Sequence, residues 1–243
     1  MLKWKKFRLG FLETNCYVIY DTETGNGIIV DPAIPSEDVK KYIEKEGVKI
    51  QYIINTHGHF DHIGGNFYFR DLTGAKIAIH REDAHMLTDP LRNHSEWTGV
   101  GVISPAPDII FDDEEELNMQ GITLKIIHTP GHTRGSICIL VNNELILTGD
   151  TLFYNSTGRS DLPESAPEKM KKSLDKIKKT VSPFVGTSGA CRTCETCSNP
   201  GEESLSGVDY SPYFLPFTTS DFKEIQSFVG RIQLILAIFG NME

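Results

Sequence analysis

The sequence of 243 residues has no apolar run long enough to cross a membrane and no secretory leader. Its N-terminus, MLKWKKFRLG, has early lysines but neither an uninterrupted apolar stretch nor a small-residue cleavage site. The longest apolar run towards the C-terminus, LILAIFG at 234–240, is far shorter than the roughly 20 residues that span a bilayer. We therefore expect a cytoplasmic protein with no membrane partner.

Basic residues are too few for a surface that binds nucleic acid. The chain has 24 Lys and Arg against 33 Asp and Glu, a net charge of −9. Binding to phosphates needs clustered Lys and Arg, so nucleic acid is not an expected partner. Internal repeats and low-complexity segments are also missing. A chain of this length and ordinary composition can bury one sizeable core.

The five cysteines do not form the framework of a disulfide-rich secreted domain. Their number is odd, and Cys191, Cys194 and Cys197 fall within seven residues. Cys16 and Cys138 lie in apolar, strand-like runs, NCYVIY and SICILV. These two are predicted to be small buried apolar side chains.

Short apolar runs alternate with amphipathic segments along the first 180 residues. Runs at 16–21, 27–32, 50–56 and 76–80 predict strands, and residues 137–150 predict a hairpin. One helix is predicted from an N-cap at Ser36 to Gly47, and another from Pro167 onwards. Residues 91–108 are predicted to form a long surface loop. Since several strands are hairpin neighbours, the order favours two mixed sheets with helices outside.

The segment THGHFDH, residues 56–62, follows a predicted strand and concentrates metal-ligand chemistry. Imidazole and carboxylate groups bind zinc and also suit iron and manganese. Residues two apart do not share a helical face, so His57 and His59 require an extended or looped backbone. Gly58 is expected to supply unusual backbone dihedral angles. One tight loop of this kind can offer two ligands to each of two metals.

Two further segments carry potential ligands after predicted strands. HTPGHT contains His128 and His132, and LILTGD ends in Asp150. Each segment alone is weak, because a histidine or aspartate after a strand is often a polar turn residue. Together with THGHFDH they indicate a metal site.

The succession THGHFDH, PGHT and GD resembles the metallo-β-lactamase superfamily. The following TLFYNSTGRSDLP resembles its glyoxalase II-like branch, the relatives of hydroxyacylglutathione hydrolase. The resemblance covers roughly residues 8–180. It implies an α/β fold, an αββα sandwich of two mixed β-sheets flanked by helices. We expect a metallo-hydrolase domain at 1–181 and an atypical tail at 182–243.

The resemblance also assigns roles to individual residues. It implies that His57, His59 and His132 hold a first metal, that Asp61 and His62 serve a second, and that Asp150 bridges both. Asp61 would orient the attacking hydroxide. Zn²⁺ is the expected cofactor at two sites, with Fe or Mn as alternatives, and whether the second site is complete is left open. Asp31 and His128 are expected to have supporting roles, and the histidines at 80, 85 and 94 match no ligand position.

The predicted function is metal-dependent hydrolysis of a small thioester or ester. The sequence contains no G-x-S-x-G segment that would indicate a serine nucleophile. Arg159 either recognises a substrate carboxylate or pairs with Asp161, and Tyr154 and Asn155 are predicted to line the pocket. The alternatives are a mononuclear iron dioxygenase acting on a persulfide, a lactone hydrolase, or a metal-binding protein with impaired activity.

Histidine is missing after His132, although the family supplies one more ligand histidine beyond the helix predicted from Pro167. Four explanations remain: an incomplete second site, substitution by one of the three clustered cysteines, a separate cysteine site, or an altered tail. An altered tail is favoured, because lysine is dense at 169–179 and Lys223 alone follows. An apolar helical stripe at 222–236 predicts packing on the domain or in a homo-oligomer.

Overall fold

The computed structural model describes residues 1–153 and 156–181, so the predictions for the tail at 182–243 lie outside the described residues. The first sheet has six strands in the order β1-β2-β3-β4-β5-β6. The first three strands are antiparallel neighbours, whereas β3 to β6 run parallel, which makes this sheet mixed. Its strands are β1 (Leu2–Leu9), β2 (Thr14–Asp21), β3 (Asn26–Val30), β4 (Lys49–Ile54), β5 (Lys76–His80) and β6 (Ile109–Phe111).

The second sheet has four strands in the order β10-β9-β8-β7. All three of its pairings are antiparallel, so the prediction of a mixed second sheet is wrong for the strands described. Short hairpin connections explain the difference, since they can join only antiparallel neighbours. The strands are β7 (Glu116–Met119), β8 (Ile122–His128), β9 (Ile137–Val141) and β10 (Leu145–Leu147). A separate small ribbon pairs β11 (Leu152–Phe153) with β12 (Ser156–Thr157).

Three apolar layers establish the αββα order. The central layer lies between the sheets and includes Ile28 and Ile54 from the first sheet and Ile126 and Ile139 from the second. The outer layers are covered by helices. The helices are α1 (Glu37–Glu46), α2 (Phe60–Ile63), α3 (Asn66–Thr73) and α4 (Pro167–Val181). Helices α1 and α3 pack on the first sheet, and α4 packs on the second, which confirms the predicted architecture.

The helix ends follow local sequence signals. The Ser36 side chain accepts a hydrogen bond from the backbone N–H of Val39, and Gly47 ends α1 in the left-handed conformation. On α4, Met170, Leu174 and Ile177 share one face and contact the second sheet, as their spacing predicts. Within the described ranges, no helix is both long and apolar enough to span a bilayer.

The segment after β5 includes residues 91–108, which form the largely exposed loop predicted for them but bring Asn93, His94 and Ser95 into the interior. It contains two 3₁₀ helices, Arg81–Thr88 and Ser95–Thr98, and it buries several polar side chains. The Asn93 amide donates hydrogen bonds to the carbonyls of Met86 and Val102, which closes the segment on itself. These bonds satisfy carbonyl groups within the segment and hold the buried Asn93 side chain in place.

Candidate metal centre

Five of the six predicted ligands belong to two overlapping sets of donor atoms. His57, His59 and His132 form one set, and His57, His62 and Asp150 form the other. The donor atoms within each set lie within 4.8 Å of one another. His57 is common to both sets, so the two sets describe one continuous centre.

Three strand ends and one short helix deliver these side chains to a single edge of the sandwich. His57 and His59 follow β4, and His62 lies on α2. His132 lies in the loop after β8, and Asp150 lies in a 3₁₀ turn, Gly149–Thr151, after β10. The site therefore depends on the register between both sheets, because neither sheet contains a complete set of donors.

Gly58 has a different reason for being glycine than the sequence suggested. Its φ angle is not among the positive values of the described glycines, so the prediction of unusual dihedral angles is wrong. A Cβ atom there would lie 2.6 Å from the Cβ of Met86. Glycine is required because the ligand loop packs against the 3₁₀ helix Arg81–Thr88 with no room for a side chain.

Hydrogen bonds to one ring nitrogen fix the orientation of three of the histidines. Nδ1 of His57 lies 3.2 Å from the Thr56 hydroxyl, whose proton goes to Asp31 at 2.7 Å. Nδ1 of His132 lies 2.7 Å from the backbone carbonyl of Arg159. Nδ1 of His62 lies 3.0 Å from Oδ2 of Asp31. Since these partners accept a proton from Nδ1, the neutral form of each ring has its lone pair on Nε2, as histidine ligands of metals do.

The atoms that face inward have the chemistry and spacing of a metal site. Nδ1 of His59 lies 2.9 Å from Nε2 of His132, which lies 3.5 Å from Oδ2 of Asp150. Metal–nitrogen bonds of about 2.0–2.1 Å at tetrahedral angles place donor atoms about 3.4 Å apart. Nε2 of His57 is buried and lacks a hydrogen-bond partner among the described residues. These observations fit a bound cation.

Asp61 belongs to neither donor set, although the resemblance predicts it as a ligand of the second metal. Its Oδ2 lies 3.4 Å from Nε2 of His62, and the same oxygen accepts a hydrogen bond from the Thr14 hydroxyl at 2.8 Å. Asp150 lies at the same distance, 3.4 Å, from Nε2 of His62. Two carboxylates thus border this imidazole on the side where the second metal is predicted.

The two halves of the centre have different electrostatic environments. Burial and the neighbouring imidazoles hold the pKa values of His57 and His59 well below their ordinary range. Burial also acts to lower the pKa of His62, but Asp61, Asp31 and Asp150 outweigh it and raise the pKa to about 10. The first half is therefore a set of neutral lone pairs, and the second half has the negative charge that attracts a cation.

Asp31 has the supporting role that its place in the VDP turn suggested. Its backbone has a φ of 51°, an uncommon left-handed conformation that Asp tolerates better than most residues. The carboxylate accepts the Thr56 backbone N–H and hydroxyl, both at 2.7 Å. It thereby holds the residue before His57 and the ring of His62 together.

Asp83 organises the same loops, although no sequence pattern indicates this role. Its side chain is fully buried and accepts hydrogen bonds from the N–H groups of Gly58 and Gly135 and from the Thr133 hydroxyl. Burial raises the pKa of this carboxyl, although the hydrogen bonds act to lower it. The three donors come from both ligand loops, so Asp83 fixes the position of one loop relative to the other.

His94 is a second residue that sequence reasoning did not place at the centre. It is buried, and its ring centre lies 5.1 Å from that of His59. Burial lowers the pKa of His94, an effect that Glu164 and Glu96 oppose. The unusual composition of the RNHSEW segment was a weak signal, but nothing local indicated that it folds back towards the ligand loop.

Two clefts of about 600 Å³ each meet at Asp61 and Asp150. The cleft on the His62 side has a mixed lining, in which Thr14 and Asn15 are polar and Trp4 and Leu147 are apolar. The cleft on the His59 and His132 side is more apolar. Its apolar lining is provided by Phe11, Leu12, Phe60, Trp97 and Leu162.

Arg159 borders the apolar cleft but is engaged with Asp161. Its guanidinium donates two hydrogen bonds to that carboxylate, at 2.8 and 2.9 Å. The predicted salt bridge is therefore present, and a role in substrate recognition stays a prediction. Tyr154 and Asn155, which were also predicted to contact substrate, lie outside the described residues.

A third group of potential ligands lies away from the centre. His80, Asp113 and His128 approach one another, and the rings of the two histidines are stacked 3.9 Å apart. Nε2 of His128 lies 2.8 Å from the backbone carbonyl of Arg134, and Nδ1 of His80 accepts the backbone N–H of Glu82. Because each histidine has a backbone partner, the group is a hydrogen-bonded network, in line with the supporting role expected for His128.

Comparisons with known proteins identify a family. The sequence profile of the metallo-beta-lactamase superfamily matches residues 9–183. The hydroxyacylglutathione hydrolase GloC of Haemophilus influenzae is 32% identical over 165 residues, which cover 67% of this chain and 77% of that protein. The probable metallo-hydrolase YqgX of Bacillus subtilis is 30% identical over 163 residues, covering 66% and 76%.

Two solved structures are similar in both sequence and fold. The B3 metallo-beta-lactamase BLEG-1 is 31% identical with a TM-score of 0.67, and the match covers 71% of this chain and 84% of that chain. TTHA1623 in a di-iron-bound form is 25% identical with a TM-score of 0.62, and the match covers 72% and 86%.

Proposed function

The chain belongs to the metallo-β-lactamase superfamily, and on that premise we propose that it is a metal-dependent hydrolase of small thioesters or esters. The observation that carries the proposal is the pair of donor sets that share His57. Their free ring nitrogens and carboxylates face one another at the floor of two clefts that are large enough for a small molecule.

We propose that His57, His59 and His132 hold one metal, that Asp61 and His62 serve a second, and that Asp150 bridges them. The orientation of the three supported rings favours this assignment, because each presents Nε2 to the centre. Zn²⁺ is the proposed ion, and the di-iron form of TTHA1623 makes iron the principal alternative. Metal bound there would polarise a carbonyl and lower the pKa of a bound water.

The side chains around the centre supply the rest of the chemistry. Asp61 is held by the Thr14 hydroxyl at the junction of the clefts, where it can orient the attacking water and accept its proton. Neutral His57 and His59 keep the first half of the centre free of competing charge. The aromatic wall formed by Phe60 and Trp97 excludes water from one side of the reacting carbonyl.

A thioester is the favoured substrate for two reasons. A thiolate leaves readily and is a good zinc ligand, and GloC carries the name of a thioester hydrolase. The apolar cleft suits an acyl chain, whereas the more polar cleft suits a hydrophilic thiol. Arg159 at the mouth is a proposed contact for a substrate carboxylate, together with Tyr154 and Asn155.

The proposal is tested with purified full-length protein that has been freed of metal and reloaded with Zn²⁺, Fe²⁺ or Mn²⁺. Hydrolysis is followed with a panel of acyl thioesters and a thiol reagent, beside lactones and glutathione persulfide. Thioester turnover that depends on added metal would support the hydrolase. Iron-dependent oxygen consumption with the persulfide would instead establish the dioxygenase.

Hydrolysis of β-lactams is a second candidate, favoured by the 31% identity to BLEG-1. A chromogenic cephalosporin offered to the same metal-loaded samples separates the two activities. We expect the thioesters to be cleaved with the higher kcat/KM, and the reverse order would assign the protein to the β-lactamases.

A further inference from the structure

His59 differs from the other proposed ligand histidines in the state of its second ring nitrogen. In His57, His62 and His132, Nδ1 has a hydrogen-bonding or ion-pairing partner. In His59, Nδ1 faces His132, and the outward Nε2 is buried with no hydrogen-bond partner in the described part of the chain. A metal-binding histidine almost always donates its second N–H to a neighbouring group, so a partner for Nε2 is to be expected.

His94 is the neighbour that can supply this partner. Its own Nε2 is also buried and without a partner among residues 1–153 and 156–181. The centres of the two rings lie 5.1 Å apart. Two imidazoles joined by a linear N–H···N bond of about 2.9 Å have ring centres about 5.2 Å apart. The spacing therefore leaves room for one hydrogen bond between the two rings, although the two nitrogens are not bonded to each other in this structure.

His94 is not itself placed as a ligand. It belongs to neither set of donor atoms at the centre, although His59 does. The expected positions of the ring protons also make one histidine a donor and the other an acceptor. If Nδ1 of His59 gives its lone pair to a metal, Nε2 carries the proton and becomes a donor. Nε2 of His94 then accepts, and Nδ1 of His94 carries its proton.

The segment around His94 holds the imidazole rigidly. Its ring stacks on Trp97 with centres 4.4 Å apart and an angle of 14° between the planes. The backbone has a φ of 65°, which few residues other than Gly and Asn adopt without cost. Asn93 and Ser95 on either side are buried and hydrogen-bonded, which fixes that conformation. A strained and locked position of this kind is characteristic of residues with a specific role.

We propose that His94 is a positioning residue that accepts a hydrogen bond from Nε2–H of His59 and so orients His59 towards the first metal. This inference rests on the metal centre of the proposed function. According to this inference, the RNHSEW segment controls metal affinity through His94, which lies 35 residues from His59 in the sequence.

The test compares His94→Asn with His94→Gln in the full-length protein. Asparagine tolerates the left-handed backbone, but its side chain ends at the position of Nδ1 and leaves His59 without a partner. Glutamine places its amide oxygen near the position of Nε2 and can accept the bond. His85→Gln is the control, because His85 is a half-exposed histidine of the same region and belongs to neither donor set at the centre.

The measurements are the apparent Kd for Zn²⁺ by chelator competition and the visible absorption spectrum of the Co²⁺-loaded protein. We expect His94→Asn to weaken zinc binding about 10- to 100-fold and to change the Co²⁺ spectrum. His94→Gln and His85→Gln should stay within about threefold of the wild type. Thermal unfolding without metal verifies that the variants are folded.

Each outcome decides the proposal. Equal affinities and spectra for His94→Asn and the wild type would overturn it, and so would equal losses in the Asn and Gln variants, which would indicate packing alone. A wild-type protein without zinc affinity would overturn this inference and the proposed function together. The predicted pattern of affinities without thioester turnover would leave the role of His94 standing and reject the hydrolase.

Discussion

The substitution Asp31→Asn tests the hydrogen bonds that support the metal centre without changing any of the proposed metal ligands. The side chain keeps its size, and asparagine is well suited to the backbone φ of 51°. The carboxylate now accepts three protons, from the Thr56 N–H, the Thr56 hydroxyl and Nδ1 of His62. An amide has one oxygen, so it cannot satisfy all three donors.

The substitution is expected to change which nitrogen of His62 carries the ring proton. If the amide oxygen stays on the Thr56 N–H, the amide NH₂ faces Nδ1 of His62, which must become an acceptor. The ring proton then moves to Nε2, the nitrogen that lies 3.4 Å from both Asp61 and Asp150. A protonated Nε2 is no longer a ligand, and loss of such a supporting contact costs about 10- to 100-fold in metal affinity. The metal-free protein should lose about 1–3 kcal/mol of stability, since a buried acceptor is removed.

The assay measures metal equivalents retained against a chelator and the free energy of unfolding without metal. Asp21→Asn is the matched control, because Asp21 is a buried carboxylate that accepts the backbone N–H groups of Glu23 and Thr24. It lies seven residues along β2 from Thr14, which places it about 23 Å from that contact of Asp61 at about 3.3 Å per residue. If Asp31→Asn retained metal as firmly as Asp21→Asn, the proposed control of the His62 tautomer would be wrong.

Three further predictions concern packing and the cysteines. Gly58→Ala should destabilise the protein by about 1–3 kcal/mol in thermal unfolding, because the new Cβ would lie 2.6 Å from the Cβ of Met86, and an unchanged stability would contradict this packing. Cys16 and Cys138 should resist iodoacetamide in the native protein, as judged by peptide mass spectrometry, since both are fully buried and burial raises the pKa of Cys138 to about 11; rapid labelling of either would contradict the packing. Changing Cys191, Cys194 and Cys197 together to Ser should leave metal content unchanged, whereas loss of one equivalent would show that a cysteine replaces the missing histidine.

Features that depend on local sequence were predictable. The caps at Ser36 and Gly47 are encoded within a few residues and are present in the structure, and the histidines of THGHFDH lie together in the two donor sets. The αββα order followed from the alternation of strands and helices together with the family resemblance. Predicting this architecture did not require knowing which side chains contact one another.

Features that depend on distant contacts were not predictable. Asp83 reaches Gly58 across 25 residues and Gly135 across 52, and no local pattern marks such a residue. His94 comes to the centre because the 91–108 segment folds inward on the amide of Asn93, which the loop-like composition concealed. The reason for glycine at position 58 was also predicted wrongly, because the constraint is a distant contact with Met86, which lies on another element.

The role of residues 182–243 stays a prediction, since the tail lies outside the described residues. The family match spans residues 9–183, and the division into a domain at 1–181 and a tail also stays a prediction. The number of metals that the full chain holds depends on whether the tail contributes a ligand beyond Asp61, His62 and Asp150.

Titration of metal-free protein with Zn²⁺, followed by thioester hydrolysis, tests the proposed metal-dependent hydrolase most directly. The rate should rise with each added equivalent and saturate at one or two per chain. His57→Asn should abolish that rise, because His57 belongs to both donor sets. Hydrolysis that is independent of metal, or a His57→Asn variant that titrates like the wild type, would contradict the proposed centre.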